Sequence, residues 1–320
     1  MLALMLTFGA STANAASKGK IGNMQIMTGD ASGTWAVIGA AIAEKINLHY
    51  DGFPFTAVPS PGSVANPLIV GSGDADFGIS YPLFLLAAFK GQYPYDKPLP
   101  NLRAIAAMPA TVLHVMADGD KVKAGSVQEA LDKKIPFKLG LPPNGTGSYM
   151  IFDTLFSAYG LKKVEDIKAW NGSIYYAIGA GLNDAWKDRM IDMYVSTYNL
   201  PASSVGEALS ARKGKVLSIG DDLIAKLLPR GFDAVTIPKG TYPNQDTDIT
   251  TVGLPMILFT TAGADEDLVY TITKTIYEND AYMKQVHSSF NQFDPNKMHE
   301  GNALELHPGA VRFYKEKGLM

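Results

Sequence analysis

From about residue 23 onward, short apolar runs alternate with segments whose apolar positions recur every three to four residues. That alternation predicts an α/β architecture. Residues 23–28 read as a strand, the loop Gly29-Asp30-Ala31-Ser32-Gly33 follows, and 34–46 is amphipathic at helical spacing. Residues 56–59 form a second short strand, 63–71 a helix with Val64, Leu68 and Ile69 on one face, and 76–80 a third strand. A third helix covers 82–90, where Pro82 suits the first helical position because its missing N–H is not needed there.

The pattern then pauses at the Pro-rich stretch 91–100 and resumes as a second series. Residues 102–107 and 111–117 are strand-like, and the segments near 108–116 and 250–256 run between the two halves as crossing strands would. Residues 137–141 predict a strand, 142–147 a loop, 148–159 a helix, 192–196 a strand and 202–212 a helix. Residues 238–251 read as a polar Pro/Gly/Thr loop, 252–260 as a strand and 265–282 as one helix opened by acids that suit its N-terminus. The two series echo each other. Ser32-Gly33-Thr34-Trp35 and Asn144-Gly145-Thr146-Gly147-Ser148-Tyr149 both open a helix after a strand, and Asp76…Ser80 and Asp192…Ser196 share a spacing.

A chain of 320 residues has room for about two domains and can bury a core without metal or disulfide staples. Lys plus Arg is 28 against 31 for Asp plus Glu, so no basic excess exists to neutralise nucleic-acid phosphates. The absence of cysteine removes thiol catalysis and Cys-ligated metal sites. Residues 1–15 are apolar and then small, and Ala13-Asn14-Ala15 fits an A-x-A cleavage pattern. This predicts the back half of a secretory signal peptide and an exported mature chain; a short buried or interfacial helix is the other reading. The segment is too short to span a membrane.

Enzyme signatures are missing: there is no G-x-x-x-x-G-K-[ST], G-x-S-x-G or H-E-x-x-H, and no tight metal-ligand spacing among the five histidines. What remains is a set of strand-to-helix loops rich in small and hydroxyl residues. In α/β folds ligands sit beyond the carboxyl ends of strands, and helix N-termini bind anions through unpaired amides. Candidate ligand residues are Thr28, Gly29, Ser32, Gly33, Thr34, Trp35, Ser63, Asn66, Ser80, Tyr81, Asn144, Gly145, Thr146, Gly147, Ser148, Ser196, Thr197 and Tyr198. For each hydroxyl the competing reading is a plain N-cap, and for each glycine a plain turn. Four to six charge-assisted hydrogen bonds at roughly 1.5–3 kcal/mol each cover micromolar binding. The cleft loops carry no Lys or Arg, so neutral donors and helix ends are expected to hold a carboxylate, with Arg103, Lys168, Lys187 and Arg189 as the cationic alternatives.

These loops resemble the TAXI family, the extracytoplasmic solute receptors of one class of TRAP transporters. The matching segments are MTGDASGTWAVIGAAIAEKIN (27–47), GSVANPLIVGSGDADFGIS (62–80), PPNGTGSYMIFDTLFSAYGL (142–161), IPKGTYPNQDTDITTVG (237–253), DLVYTITKTIYE (267–278) and HPGAVRFYKEKG (307–318). Asp30 and Trp35 stand where the family is usually glycine- and tyrosine-rich, and Ser80-Tyr81 where Gln is common. The resemblance implies a two-lobed type II periplasmic-binding-protein fold with a hinge and a central cleft. Residues 20–112 and 252–320 would form the first lobe and 113–251 the second. It implies a periplasmic monomer without cofactor or metal. That monomer binds a small organic anion, a glutamate-like amino acid or a dicarboxylate, and hands it to TRAP membrane subunits. The family's first glycine-rich loop falls on residues 28–35, its Ser-x-x-Asn pair on Ser63 and Asn66, and its second-lobe loop on 144–148. A receptor domain for a signalling partner and a two-lobed enzyme are the rival readings.

Overall fold

A computed structural model describes residues 23–31, 33–48, 54–144, 146–177 and 180–320. The expected signal segment 1–15 and the candidates Ser32 and Gly145 lie outside the described residues.

The first series folds as β1 (Met24–Met27), α1 (Thr34–Asn47), β2 (Phe55–Val58), α2 (Asn66–Gly71), β3 (Phe77–Ser80) and α3 (Pro82–Lys90). The second follows the long strand β4 (Leu102–Asp118). It comprises α4 (Val127–Asp132), β5 (Lys138–Leu141), α5 (Gly147–Tyr159), β6 (Ser173–Tyr176), α6 (Ala180–Lys187), β7 (Met193–Tyr198), α7 (Ser203–Ala211), β8 (Gly214–Val216), α8 (Asp221–Leu227) and β9 (Asp233–Ile237). The chain returns through β10 (Ile249–Thr261) and closes with α9 (Glu266–Glu278), α10 (Asp280–Val286) and α11 (Pro308–Glu316).

The strands run β2-β1-β3-β10-β4-β7-β5-β6, with β8 added to β4 and β9 to β10. β1, β2 and β3 are parallel to one another, as are β5, β6 and β7, while β10 and β4 pair antiparallel to their neighbours. Parallel strands need crossover helices, and the sequence alternation supplies them. The carboxyl ends of β1 and β3 therefore point one way, and those of β5 and β7 point back at them. β4 pairs with β10 from Leu102 to Val112 and with β7 from Val112 to Ala117, so one 17-residue strand serves both halves of the sheet.

Several elements differ from the sequence expectation for physical reasons. The two strand-like runs at 102–107 and 111–117 are continuous. Pro109, with no N–H to offer, sits in the register shift where Met256 faces Met108 and Pro255 faces Ala110. The helix expected from residue 63 begins at Asn66, because Gly62 turns the chain at φ +93° first. The helix expected over 265–282 breaks at Asn279, whose side chain donates to the Thr275 carbonyl at 2.8 Å. The loop expected over 238–251 is shortened, since β10 already starts at Ile249 and pairs with the unexpected β9.

The core is apolar and closely fitted. Phe77, Phe84, Phe152, Phe156 and Phe259 are fully buried, each a contribution of roughly 1.5–3 kcal/mol over the exposed state. Gly39 of α1 lies so close to the end of β1 that a Cβ there would collide with the Thr28 methyl. One buried ion pair is fully serviced. Arg212 donates through Nε to Asp118 at 2.9 Å, again through its second terminal nitrogen, and to the carbonyls of Trp186 and Ile191 at 3.0 and 2.7 Å.

Candidate functional site

The strand-to-helix loops of the two halves meet. Gly147, the first residue of α5, abuts the loop before α2, where a Cβ on it would lie 3.0 Å from Ser63 Oγ and 3.4 Å from Val64. Thr34, the first residue of α1, receives a hydrogen bond of 3.2 Å from Nδ2 of Asn199, the residue after β7. Trp35 meets Tyr81 edge-on at 4.9 Å between ring centroids, and Thr111 of β4 donates to the Tyr81 hydroxyl at 3.0 Å. Residues 28–31, 33–35, 60–66, 80–82, 146–149 and 198–199 thus form one connected region.

Within it the expected donors divide into two groups. Thr28, Asn66, Ser80 and Thr146 spend their side-chain donors inside the protein. Asn66 is fully buried, and its Nδ2 serves the carbonyls of Met27, Thr28 and Ile79 at 3.2, 2.8 and 2.7 Å while Oδ1 accepts the Ser60 hydroxyl at 2.6 Å. That amide ties the ends of β1 and β3 to the loop between β2 and α2, and has no N–H left to donate. Thr28 and Ser80 are fully buried and donate to the Val58 and Ser63 carbonyls. The Thr146 hydroxyl accepts the Tyr149 N–H at 3.1 Å and donates to the Pro143 carbonyl at 2.9 Å, the plain N-cap.

The second group keeps donors in hand. Among the described residues no side chain caps α1; its N-cap is Gly33, and Ala36 and Val37 are the first to bond the Gly33 carbonyl. The N–H groups of Thr34 and Trp35 find no acceptor among the described residues. Among the described residues this leaves the first two amides of α1 without a partner, at the end where the helix dipole is positive. His287 Nδ1 accepts the Ser289 N–H at 3.1 Å, which assigns the proton of the neutral ring to Nε2. That Nε2 lies 3.5 Å from Thr34 Oγ1. With Asn199 donating as well, the oxygen receives two donors, and the Thr34 proton is left for a further acceptor.

Other candidates lie around this centre. Gly29 backs onto the Trp35 side chain, and Ser148 and Asn144 are exposed at the start of α5. Ser196, Thr197 and Tyr198 are half-buried at the end of β7, in register with His114, Leu113 and Val112 of β4. Burial pushes the Tyr81 hydroxyl up to about 12, against the opposing Thr111 bond, so it remains a neutral phenol with its own proton to donate. Arg103 is spent on the Pro100 and Leu102 carbonyls and pairs with Glu305 at 3.7 Å, on the far edge of β4.

Sequence reasoning missed Asn199 and His287. His287 follows α10 and reaches Thr34 across 253 positions, a separation that periodicity does not register. The segment after Asn199 is pinned at Ala202 by a buried relay: Tyr242 donates to His114 Nε2 at 2.8 Å and accepts the Ala202 N–H at 3.0 Å, while His114 Nδ1 bonds the Val112 carbonyl at 2.9 Å. Burial lowers the His114 ring to about 4, partly opposed by that carbonyl, so it stays neutral.

Two cavities flank the region. One of about 360 Å³ lies between α3 and α5, lined by Phe84, Tyr93, Asn144, Tyr149, Asp153 and Glu165. A larger one of about 550 Å³ is lined by Ala110, Val112, Leu200, Pro255 and Phe293. Ala110 and Val112 flank Thr111 in the strand, so their side chains face away from Tyr81, and this cavity lies behind the crossing strands. Its rim carries Asp233, Asp294 and Glu300 against Lys297, the wrong sign for an organic anion.

Residues 26–318 match the NMT1-like family, and the chain belongs to it. Solved structures share the fold. A TctC solute-binding protein from Polaromonas superposes with a TM-score of 0.54 at 16% identity, over 93% of this chain and 96% of that one. XAC2383 from Xanthomonas citri gives 0.53 at 10% identity, over 91% and 98%. The periplasmic sulfonate-binding protein SsuA from Methylobacillus flagellatus KT gives 0.50 at 13% identity, over 93% and 87%. The chain thus has the two-lobed α/β fold of periplasmic binding proteins.

Proposed function

We propose that this member of the NMT1-like family is an extracytoplasmic solute-binding protein of the TAXI type, which captures a small organic anion and delivers it to a TRAP membrane permease. The observation that carries the reading is the N-terminus of α1, where the Thr34 hydroxyl proton and the Thr34 and Trp35 amides have no acceptor among the described residues, facing Asn199 from the opposite half of the chain. A carboxylate there accepts from neutral groups alone. Trp35, Tyr81, Ser63, Gly147, Ser148 and Tyr198 make the surrounding wall, and Thr28, Asn66, Ser80 and Thr146 hold its shape.

The lobes in this reading are residues 20–112 with 252–320, and residues 113–251. The change of partner by β4 at Val112, from β10 to β7, supports a hinge there. Among the described residues no helix is long and apolar enough to cross a membrane. Delivery by a carrier needs reversible closure, and bending two crossing strands gives closure with few broken contacts.

Thermal-shift screening of the full chain with organic acids and amino acids tests the reading. Ligand at a hundredfold excess over its dissociation constant adds about 2.7 kcal/mol, a rise of several degrees in Tm. At least one carboxylate should give that rise, and its methyl ester should not. A panel in which no carboxylate shifts the protein, or in which the esters work equally well, contradicts an anion receptor.

A further inference from the structure

We propose that the cavity between α3 and α5 is a second binding site, which takes a small organic cation: an ammonium group carried on an apolar body. It is separate from the carboxylate site at the start of α1 and does not depend on it.

The cavity has a volume of about 360 Å³, within the range of small-molecule sites. One wall is α3, through Leu83, Phe84 and Ala87, and the facing wall is α5, through Tyr149, Met150, Asp153 and Thr154. Positions three and four apart share a helix face, so each helix turns one side to the space. The lining is largely apolar and aromatic. Phe84 is fully buried, Tyr149 is nearly so, and Tyr93 lines the cavity while 76% exposed. A ring that open to solvent gains little from packing, and here it stands where it can cover an occupant.

The charged groups of the lining are the Asp153 and Glu165 carboxylates and the Lys163 ammonium, so negative charge is in excess. Glu165 is already served. The Tyr176 hydroxyl donates to it at 2.7 Å and the Tyr149 hydroxyl lies at 3.5 Å. Burial works to raise its carboxyl, but the Tyr176 bond and the Lys163 and Lys168 charges outweigh it and hold it below the ordinary range. Asp153 is different. Burial pushes its carboxyl above the ordinary range; the Val164 N–H opposes this, the Glu165 charge adds to it, and no Lys or Arg among the described residues pairs with it. An ammonium group in the cavity neutralises Asp153 where solvent is scarce and lies among rings that attract it. An inorganic ion fits less well. It would exchange its hydration for rings and methylenes, and the described residues hold no group of three metal-ligating side chains. The same charge repels a carboxylate, so the two sites select opposite ligands.

Calorimetric titration of the full chain with charged and uncharged compounds of one shape tests this. The pairs are choline and neohexyl alcohol, its carbon isostere, and benzylammonium and benzyl alcohol. At least one cation should bind, and should exceed its neutral partner by about tenfold or more, the worth of one charge-assisted contact. Asp153→Asn, which keeps the shape and removes the charge, should erase that preference. Tyr93→Leu changes an exposed residue and should weaken the cation by about threefold, as loss of one exposed cation–π contact does. The Tyr93 variant keeps the test valid if Asp153→Asn does not fold. Failure of both cations to bind the folded protein overturns the proposal and leaves the carboxylate reading untouched. Equal binding of the neutral partners overturns it as well, since the cavity would then be merely apolar. So does an undiminished preference in Asp153→Asn or an undiminished affinity in Tyr93→Leu, either of which would put the cation elsewhere.

Discussion

The starts of α1 and α5 are written in nearly the same residues, Gly-Thr-Trp at 33–35 and Thr-Gly-Ser-Tyr at 146–149, yet they do different work. In α5 the threonine is the N-cap, and its hydroxyl both accepts from Tyr149 and donates to Pro143. In α1 the glycine is the N-cap and the threonine is the first helical residue. A shift of one position moves the hydroxyl from closing its own helix end to standing beside an open one. The open end is then approached by Asn199 and His287, whereas Gly147 makes its contact with Ser63 by having no side chain. One loop is a donor cluster and the other a smooth surface against which it closes.

Breaking the scaffold under the α1 side should have the largest effect. Asn66→Ala strips hydrogen bonds from three carbonyls and the Ser60 hydroxyl at a fully buried point, with an expected loss of roughly 3 kcal/mol in denaturant unfolding. A variant that stays within about 0.5 kcal/mol of the parent would show that Asn66 is no hub.

Acid separates the two ends next. His114 supports the loop that carries Asn199, and its folded ring titrates near 4 against an ordinary 6.5. The unfolded chain therefore takes up the proton first, and stability rises with pH across that interval. It is complete above about 6.5 and declines as pH falls toward 4, by about 3 kcal/mol at the lower end. The Asp118–Arg212 pair adds to the decline only lower down. Burial works to raise the Asp118 carboxyl, but the Arg212 bonds outweigh it and hold it below the ordinary carboxylate range. In His114→Gln the slope between pH 4 and 6.5 should flatten; an undiminished slope assigns the effect elsewhere.

Thr34→Val and Thr146→Ala sharpen the contrast directly. The first should weaken ligand binding by about 1–3 kcal/mol and also lower Tm, since it leaves the Asn199 and His287 donors without the Thr34 oxygen. The second should cost about 1 kcal/mol of stability and leave affinity nearly intact. The reverse pattern would exchange the roles of the two helix ends.

Much of the frame could be read before any coordinates. α1 and α3 announce themselves by spacing, and Pro82 marks the start of α3. The strands β6 and β9 are largely exposed and β8 has three residues, so no apolar run marks them, and the break at Asn279 depends on a side chain turning back to Thr275. At the site the pattern named the loops and could not say which hydroxyls turn inward. Thr28 and Ser80 look like Thr34 and Ser63 in a sequence, but the first two sit at strand ends under a helix or a loop, where a backbone carbonyl is nearer than solvent. Asn199 and His287 become visible only when distant segments close on Thr34.

The central claim is that an anion sits at the open end of α1. Amide chemical shifts of Thr34 and Trp35, followed in a selectively labelled full chain titrated with the tightest acid from the thermal screen, test it most directly. Both resonances should move strongly downfield on saturation, as amides do when they donate to a carboxylate, with smaller changes at Tyr149, whose N–H is already held by Thr146. Shifts that leave Thr34 and Trp35 in place and cluster instead at Ala110, Val112 and Phe293 would put the ligand behind the crossing strands and contradict the account.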